Sequence, residues 1–141
     1  MNQVVGSYNG SLIRATAGSA GYDIVAVIDE AVIVLPGQRK LINTGVTLNL
    51  NPGYWAKIHS RSGLSVRGID VGAGVIDEDY HKEIKVLIIN NGTIPFIISN
   101  GDRIAQLVIG RYFLIESTDK KIINDGLHEG FGSTDHLNDV V

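Results

Sequence analysis

The feature that most narrows the fold is a recurrence of short Val- and Ile-rich runs, each closed by Gly, Asn, Asp or Pro. They lie around Tyr22 to Ile28, Ala31 to Leu35, Lys40 to Leu50, Tyr54 to His59, Ile84 to Ile89, Ile94 to Ile98 and Ile104 to Phe113. Pro36-Gly37, Asn51-Pro52-Gly53, Asn90-Asn91-Gly92 and Asn100-Gly101-Asp102 supply turn chemistry between them. This punctuation is that of an all-β barrel or sandwich. Only Arg61 to Arg67 reads as helical, and it is long enough for no more than about two turns.

At 141 residues the chain fits one domain with a real core and has no room for two. With 44% hydrophobic residues and three prolines it is globular rather than disordered. A net charge of -3 and a pI near 5.7 lack the basic face that a phosphate backbone requires, which argues against nucleic acid as a partner. A small polyphosphate would need only a local cationic pocket. The absence of cysteine removes disulfides, thiol nucleophiles and Cys-based zinc sites. No apolar run approaches the roughly 18 residues of a membrane span, and MNQVVGSYNGSLIR has no basic segment followed by an apolar core. The expectation is a protein of the cytosol or nucleus, with no secretion signal and no membrane partner.

The stretch VGAGVIDEDY, Val71 to Tyr80, stands out as a candidate site. In an extended strand Val75, Asp77 and Asp79 share one face while Ile76, Glu78 and Tyr80 share the other, so Asp77 is expected to be rooted in buried structure. Gly72 and Gly74 permit a tight hairpin and let a flat ligand lie against bare backbone. Taken alone, the acidic residues read first as a turn closing a hairpin, and the other segments shift that reading.

Other segments carry polar chemistry. Arg61-Ser62-Gly63-Leu64 follows the run YWAKIH, which places Ser62 where an N-cap would stand, with Arg61 offering a fork of donors suited to phosphate. The alternative is an ordinary capped helix with a surface arginine. Asp23, inside Ala20-Gly21-Tyr22-Asp23-Ile24, needs a partner for its carboxylate, either a metal-bound water or a buried arginine. Gly101-Asp102-Arg103-Ile104-Ala105-Gln106 sets Gln106 among apolar neighbours, and Asp102 with Arg103 reads as a structural salt bridge. Histidines 59, 81, 128 and 136 lack the spacing of a metal site. From Thr118 the periodicity stops, and DGLHEGFGSTDHLNDVV reads as a tail that a ligand or another subunit must order. Within it Gly130, Phe131, Gly132, Ser133 and Thr134 combine a ring that can lie on a flat base with hydroxyls suited to a terminal phosphate.

Taken in order, AGYDI, RSGLS, VGAGVIDEDY, GDRIAQLV and GFGST resemble the five motifs of the trimeric deoxyuridine triphosphatase (dUTPase) family, over residues 20 to 134. The resemblance implies a jelly-roll-like β-barrel spanning 1–118 and a flexible C-terminal arm, 119–141, that crosses to close a neighbour's site in a homotrimer. It implies hydrolysis of dUTP to dUMP and pyrophosphate with Mg²⁺, which keeps uracil out of DNA and supplies dUMP for thymidylate synthesis. Asp77 would then activate the attacking water. Gly72, Gly74, Val75 and Ile76 would face uracil, and Tyr80 would pack under the deoxyribose. Arg61, Ser62, Gly63, Gln106, Ser133 and Thr134 would meet the phosphates, Phe131 would stack on uracil, with Gly132 beside it, and Asp23 would reach Mg²⁺ through water.

Some positions depart from that pattern. Gly126 stands where the family carries an arginine, Glu129 and Asp135 replace common glycine or basic residues, and His81-Lys82 replace Arg-Gly. His128 is the nearest substitute cation in sequence, with Lys120 and Lys121 behind it. Two alternatives therefore stand beside the hydrolase: a dUTPase-like nucleotide-binding regulatory protein with weak turnover, and a deoxycytidine triphosphate deaminase on a related fold.

Overall fold

The structure is a computed structural model that describes residues 3–119 and residue 130. Its elements are β1 (Gly6–Asn9), β2 (Leu12–Ile13), β3 (Gly21–Val25), β4 (Val32–Val34), β5 (Arg39–Asn43), β6 (Thr47–Leu50), β7 (Tyr54–His59), α1 (Ser62–Ser65), β8 (Ile69–Gly72), β9 (Val75–Ile76), β10 (Lys85–Asn90), β11 (Phe96–Ile98) and β12 (Arg103–Arg111). The fold is all-β with one helical turn, as the punctuation implied. Four antiparallel sheets, ordered β1-β6, β5-β10-β8, β11-β4 and β2-β3-β12-β7-β9, wrap one core, and strand pairing among the described residues does not close into a ring.

Ile24, Ile42, Val86, Ile88, Ile98, Ile104 and Leu107 are fully buried at its centre. Each such side chain contributes roughly 1.5–3 kcal/mol relative to exposure, so the β-branched runs specify the inner faces. Two polar residues are buried with them, and both are bonded. Thr44 donates to the Ile84 carbonyl at 2.6 Å, while Asn90 donates to Val34 and Ile94 at 2.8 and 2.9 Å and accepts the Gly92 N–H at 2.9 Å. They tie the ends of β4, β5 and β10 to neighbouring segments of chain.

Several sequence expectations are corrected. The run Lys40 to Leu50 is two strands, because the chain turns at Gly45 with φ of 67°. Strands β1, β2 and β8 lie outside the expected runs altogether. Strand β12 carries a register shift between Arg103 and Ala105. Asp23 faces Gln106 and Val25 faces Arg103, so the extra residue brings Arg103 to the Gln106 face, where strict alternation would put Ile104. Ile104 and Ala105 are both buried as a result.

Candidate active site

Strands β8 and β9 end different sheets. β8 pairs with β10 and β9 with β7, so each presents one edge of peptide groups that no strand among the described residues takes up. The chain passes between them through Ala73 and Gly74, with φ of 54° and 112°. The tight hairpin expected from the two glycines is therefore an open loop between two sheet edges. Gly74 accepts the Ile58 N–H at 2.9 Å, and a Cβ on it would stand 2.7 Å from the Ile58 carbonyl oxygen, so the loop has no space for a side chain there.

This loop lines a cavity of about 400 Å³ together with Asp77, Tyr80, Ile58, Ile84, Val86 and Leu87. Exposure alternates as expected, with Val75, Asp77 and Asp79 more exposed than Ile76, Glu78 and Tyr80, but only Val75 and Ile76 are strand. Asp77 itself is exposed in this chain, not rooted in buried structure. The reason is that β9 ends at Ile76, and Asp77 opens a turn in which its carbonyl accepts the Tyr80 N–H at 3.1 Å. Tyr80 is 8% exposed, its hydroxyl donates to the Glu83 carbonyl at 2.8 Å, and burial pushes its pKa up. Gly130, which begins GFGST, stands against the Tyr80 ring with φ of 83°, where a Cβ would come 3.0 Å from Tyr80 Cε1. Gly126, His128, Phe131, Gly132, Ser133 and Thr134 lie outside the described residues.

The remaining candidates form a second cluster. Across three strands Asp23, Gln106 and His59 stand directly opposite one another. Asp23 is paired with two arginines: Arg103 Nη1 lies 3.0 Å from Oδ2 and Arg61 Nε lies 3.6 Å from Oδ1. The expected Asp102–Arg103 pair is thus replaced, because the shift in β12 turns Arg103 toward Asp23 while Asp102 accepts the Ser99 N–H at 2.7 Å. Arg61 also donates to the Arg103 carbonyl at 3.0 Å, which fixes the guanidinium beside the cluster. Arg61, not Ser62, is the N-cap of α1, and it makes no side-chain cap bond. Bonds within α1 begin with the N–H groups of Leu64 and Ser65, so those of Ser62 and Gly63 point out of its open first turn.

Sequence reasoning misses Ser60, although it joins the two clusters. Its carbonyl accepts the Gln106 amide at 3.0 Å and its hydroxyl accepts the Val71 N–H at 3.0 Å. Its position directly before Arg61-Ser62 is the signal that could have found it. The clusters nonetheless open into different cavities, since none of Asp23, Arg61, Ser62 or Gln106 lines the one that holds Asp77. Among the described residues no group of three His, Asp or Glu is arranged to hold a metal ion, and no helix is long and apolar enough to cross a membrane.

Comparison with known proteins agrees with this geometry. Residues 9–135 match the family model described as dUTPase. The deoxyuridine 5'-triphosphate nucleotidohydrolase of Monkeypox virus is 42% identical over 123 residues, which cover 86% of this chain and 80% of that protein. The fold is shared with a mutant dUTPase from phage phi11 of S. aureus that coordinates a structural Mg(II) ion (TM-score 0.74, 24% identity, covering 84% of this chain and 98% of the other). It is shared too with the Staphylococcus bacteriophage 80alpha dUTPase with dUPNHPP (TM-score 0.73, 24% identity, covering 94% and 99%). The family match runs from β1 past the residue that touches Tyr80, and on that extent the chain belongs to the dUTPase family.

Proposed function

We propose that the chain hydrolyses dUTP to dUMP and pyrophosphate and works as a homotrimer. The observation that carries this reading is the pair of sheet edges at Gly72–Ile76, set in one cavity with Asp77 and Tyr80. A strand edge alternates N–H and C=O, which complements the acceptor, donor and acceptor of uracil's O4, N3–H and O2. Cytosine reverses two of the three, leaving buried groups unpaired, and thymine's methyl group would meet the loop. The buried Tyr80 ring under the sugar leaves no space for a 2′-hydroxyl.

Hydrolysis of the anhydride needs an oriented water and neutralised phosphates more than covalent chemistry. Asp77 takes a proton from the water, whose oxygen attacks the α-phosphorus; the bond to the bridging oxygen breaks and pyrophosphate leaves with that oxygen. Arg61, Gln106 and the N–H groups of Ser62 and Gly63 meet the phosphates. Phe131, Ser133 and Thr134 of the arm close over the base and the terminal phosphate. Mg²⁺, when bound, supplies further neutralisation of the phosphates. The residues present fit an ion held by phosphate oxygens and water, with Asp23 reaching it through water, since both Asp23 oxygens already face guanidinium groups.

The separation of the Asp77 cavity from the Arg61–Asp23–Gln106 cluster supports a site completed by more than one copy of the chain. Within the chain Gly130 of GFGST lies against Tyr80, which supports the Asp77 cavity as the one that motif closes; in the trimer implied by the motifs, the closing GFGST would come from a neighbour. The reaction would keep uracil out of DNA and furnish dUMP. Purified protein with Mg²⁺ and each of dUTP, dCTP, dTTP and UTP tests the reading. Pyrophosphate from dUTP alone is expected; ammonia from dCTP would identify a deaminase, and binding of dUTP without turnover a regulatory protein.

A further inference from the structure

The Asp77 loop carries one inward carboxylate that the reaction does not use. Glu78 lies half-buried beneath it and accepts the Gly53 N–H at 2.9 Å. The Tyr112 hydroxyl donates to the same oxygen, Oε1. Tyr112 in turn donates its backbone N–H to the Gly53 carbonyl at 3.0 Å. These three bonds close a ring through three segments far apart in sequence: the turn at Asn51-Pro52-Gly53, the acidic loop and the end of β12.

Tyr112 is the first residue past β12, and the chain beyond it leaves the sheet, with Phe113, Leu114 and Ile115 at least 82% exposed. The ring therefore fastens the acidic loop at the foot of the segment that leads to the arm. Asp77 follows a strand of only two residues, so β9 alone does little to fix its backbone. The Asp77 carbonyl accepts the Tyr80 N–H within the turn, and Glu78, one residue on, ties that turn to Gly53 and Tyr112.

We infer that Glu78 is a positioning residue, which holds Asp77 in its working orientation through Gly53 and Tyr112. The inference rests on Asp77 being the carboxylate that activates water. The hydroxyl of Tyr112 and the Gly53 N–H lower the Glu78 carboxyl from its ordinary value, and Glu78 pushes the Tyr112 hydroxyl up, so at neutral pH Glu78 is ionised and Tyr112 keeps its proton. Both bonds are in place where the enzyme works. A displaced general base loses rate steeply, and a shift of about 1 Å can cost on the order of 10²-fold.

The test compares Glu78→Ala, Glu78→Gln, Tyr112→Phe, the Glu78→Ala/Tyr112→Phe double variant and Asp77→Asn for kcat, KM and thermal unfolding, with dUTP and Mg²⁺. Glu78→Ala should lower kcat by roughly 10²-fold per folded molecule with KM little changed. Glu78→Gln should keep most of the activity, because its amide oxygen still accepts both bonds. Tyr112→Phe, a milder change that preserves packing, should lower kcat by less, and the double variant should be no slower than Glu78→Ala. Full kcat per folded molecule in both Glu78→Ala and Tyr112→Phe would overturn the inference, as would a Glu78→Gln enzyme as slow as Glu78→Ala. If Asp77→Asn is inactive while those variants are normal, Glu78 alone is refuted. An active Asp77→Asn would instead remove the mechanism on which the role depends.

Discussion

Arg103 reaches Asp23 at 3.0 Å because β12 takes in one residue more than β3 opposite it. The shift turns a strand-end arginine into half of a guanidinium pair whose other member, Arg61, holds the opposite oxygen at 3.6 Å. The Asp23 side chain is 14% exposed, and the two arginines offset the cost of keeping its charge there.

Arg103→Met tests that relationship. Stability should fall by about 1 kcal/mol or less in urea unfolding, since Arg61 remains and the pair is partly solvated. KM for dUTP should rise by more than the stability change alone implies, because Arg61 becomes the sole partner of Asp23 and is held back from phosphate. An unchanged KM would separate this cluster from the phosphates.

Gly74→Ala and Gly72→Ala should behave differently. At Gly74 the φ of 112° and a backbone oxygen 2.7 Å from the new Cβ leave no relief, and the strain should cost roughly 1–3 kcal/mol in thermal or chemical unfolding. At Gly72 the obstructing atoms are the ends of Leu87 and Ile89, which can rotate, so the loss should be smaller. Equal losses would contradict the steric distinction. Both variants should weaken dUTP binding.

Truncation after Asn124 should leave a folded trimer by light scattering, with little turnover, if the arm serves as the lid proposed above. Subunits that lack the arm but keep Asp77, mixed with full-length Asp77→Asn subunits, should regain activity if the arm is donated between copies. No recovery would contradict that exchange.

Legibility in the sequence followed the range of the forces involved. The alternating exposure of Val75 through Tyr80 could be read because it is local, although only Val75 and Ile76 are strand and the rest is a turn, and the motif order pointed to the family. Strands β1 and β2 escaped because GSYN is too polar and LI too short to stand out, and they form only by pairing with β6 and β3. The Arg103–Asp23 pair was hidden because a register shift belongs to two strands at once. The open edges of β8 and β9 were hidden for a similar reason: the two glycines suggest a hairpin, while partner choice sends each strand to a different sheet.

The most direct measurement is the initial rate of pyrophosphate release from dUTP by the chain and by its Asp77→Asn variant, at saturating substrate with Mg²⁺. The variant should bind a non-hydrolysable dUTP analogue as well as the parent chain does and lose turnover by roughly 10²- to 10⁴-fold, the span of general-base catalysis. Near-normal turnover by Asp77→Asn would contradict the assignment of Asp77 as the group that activates water.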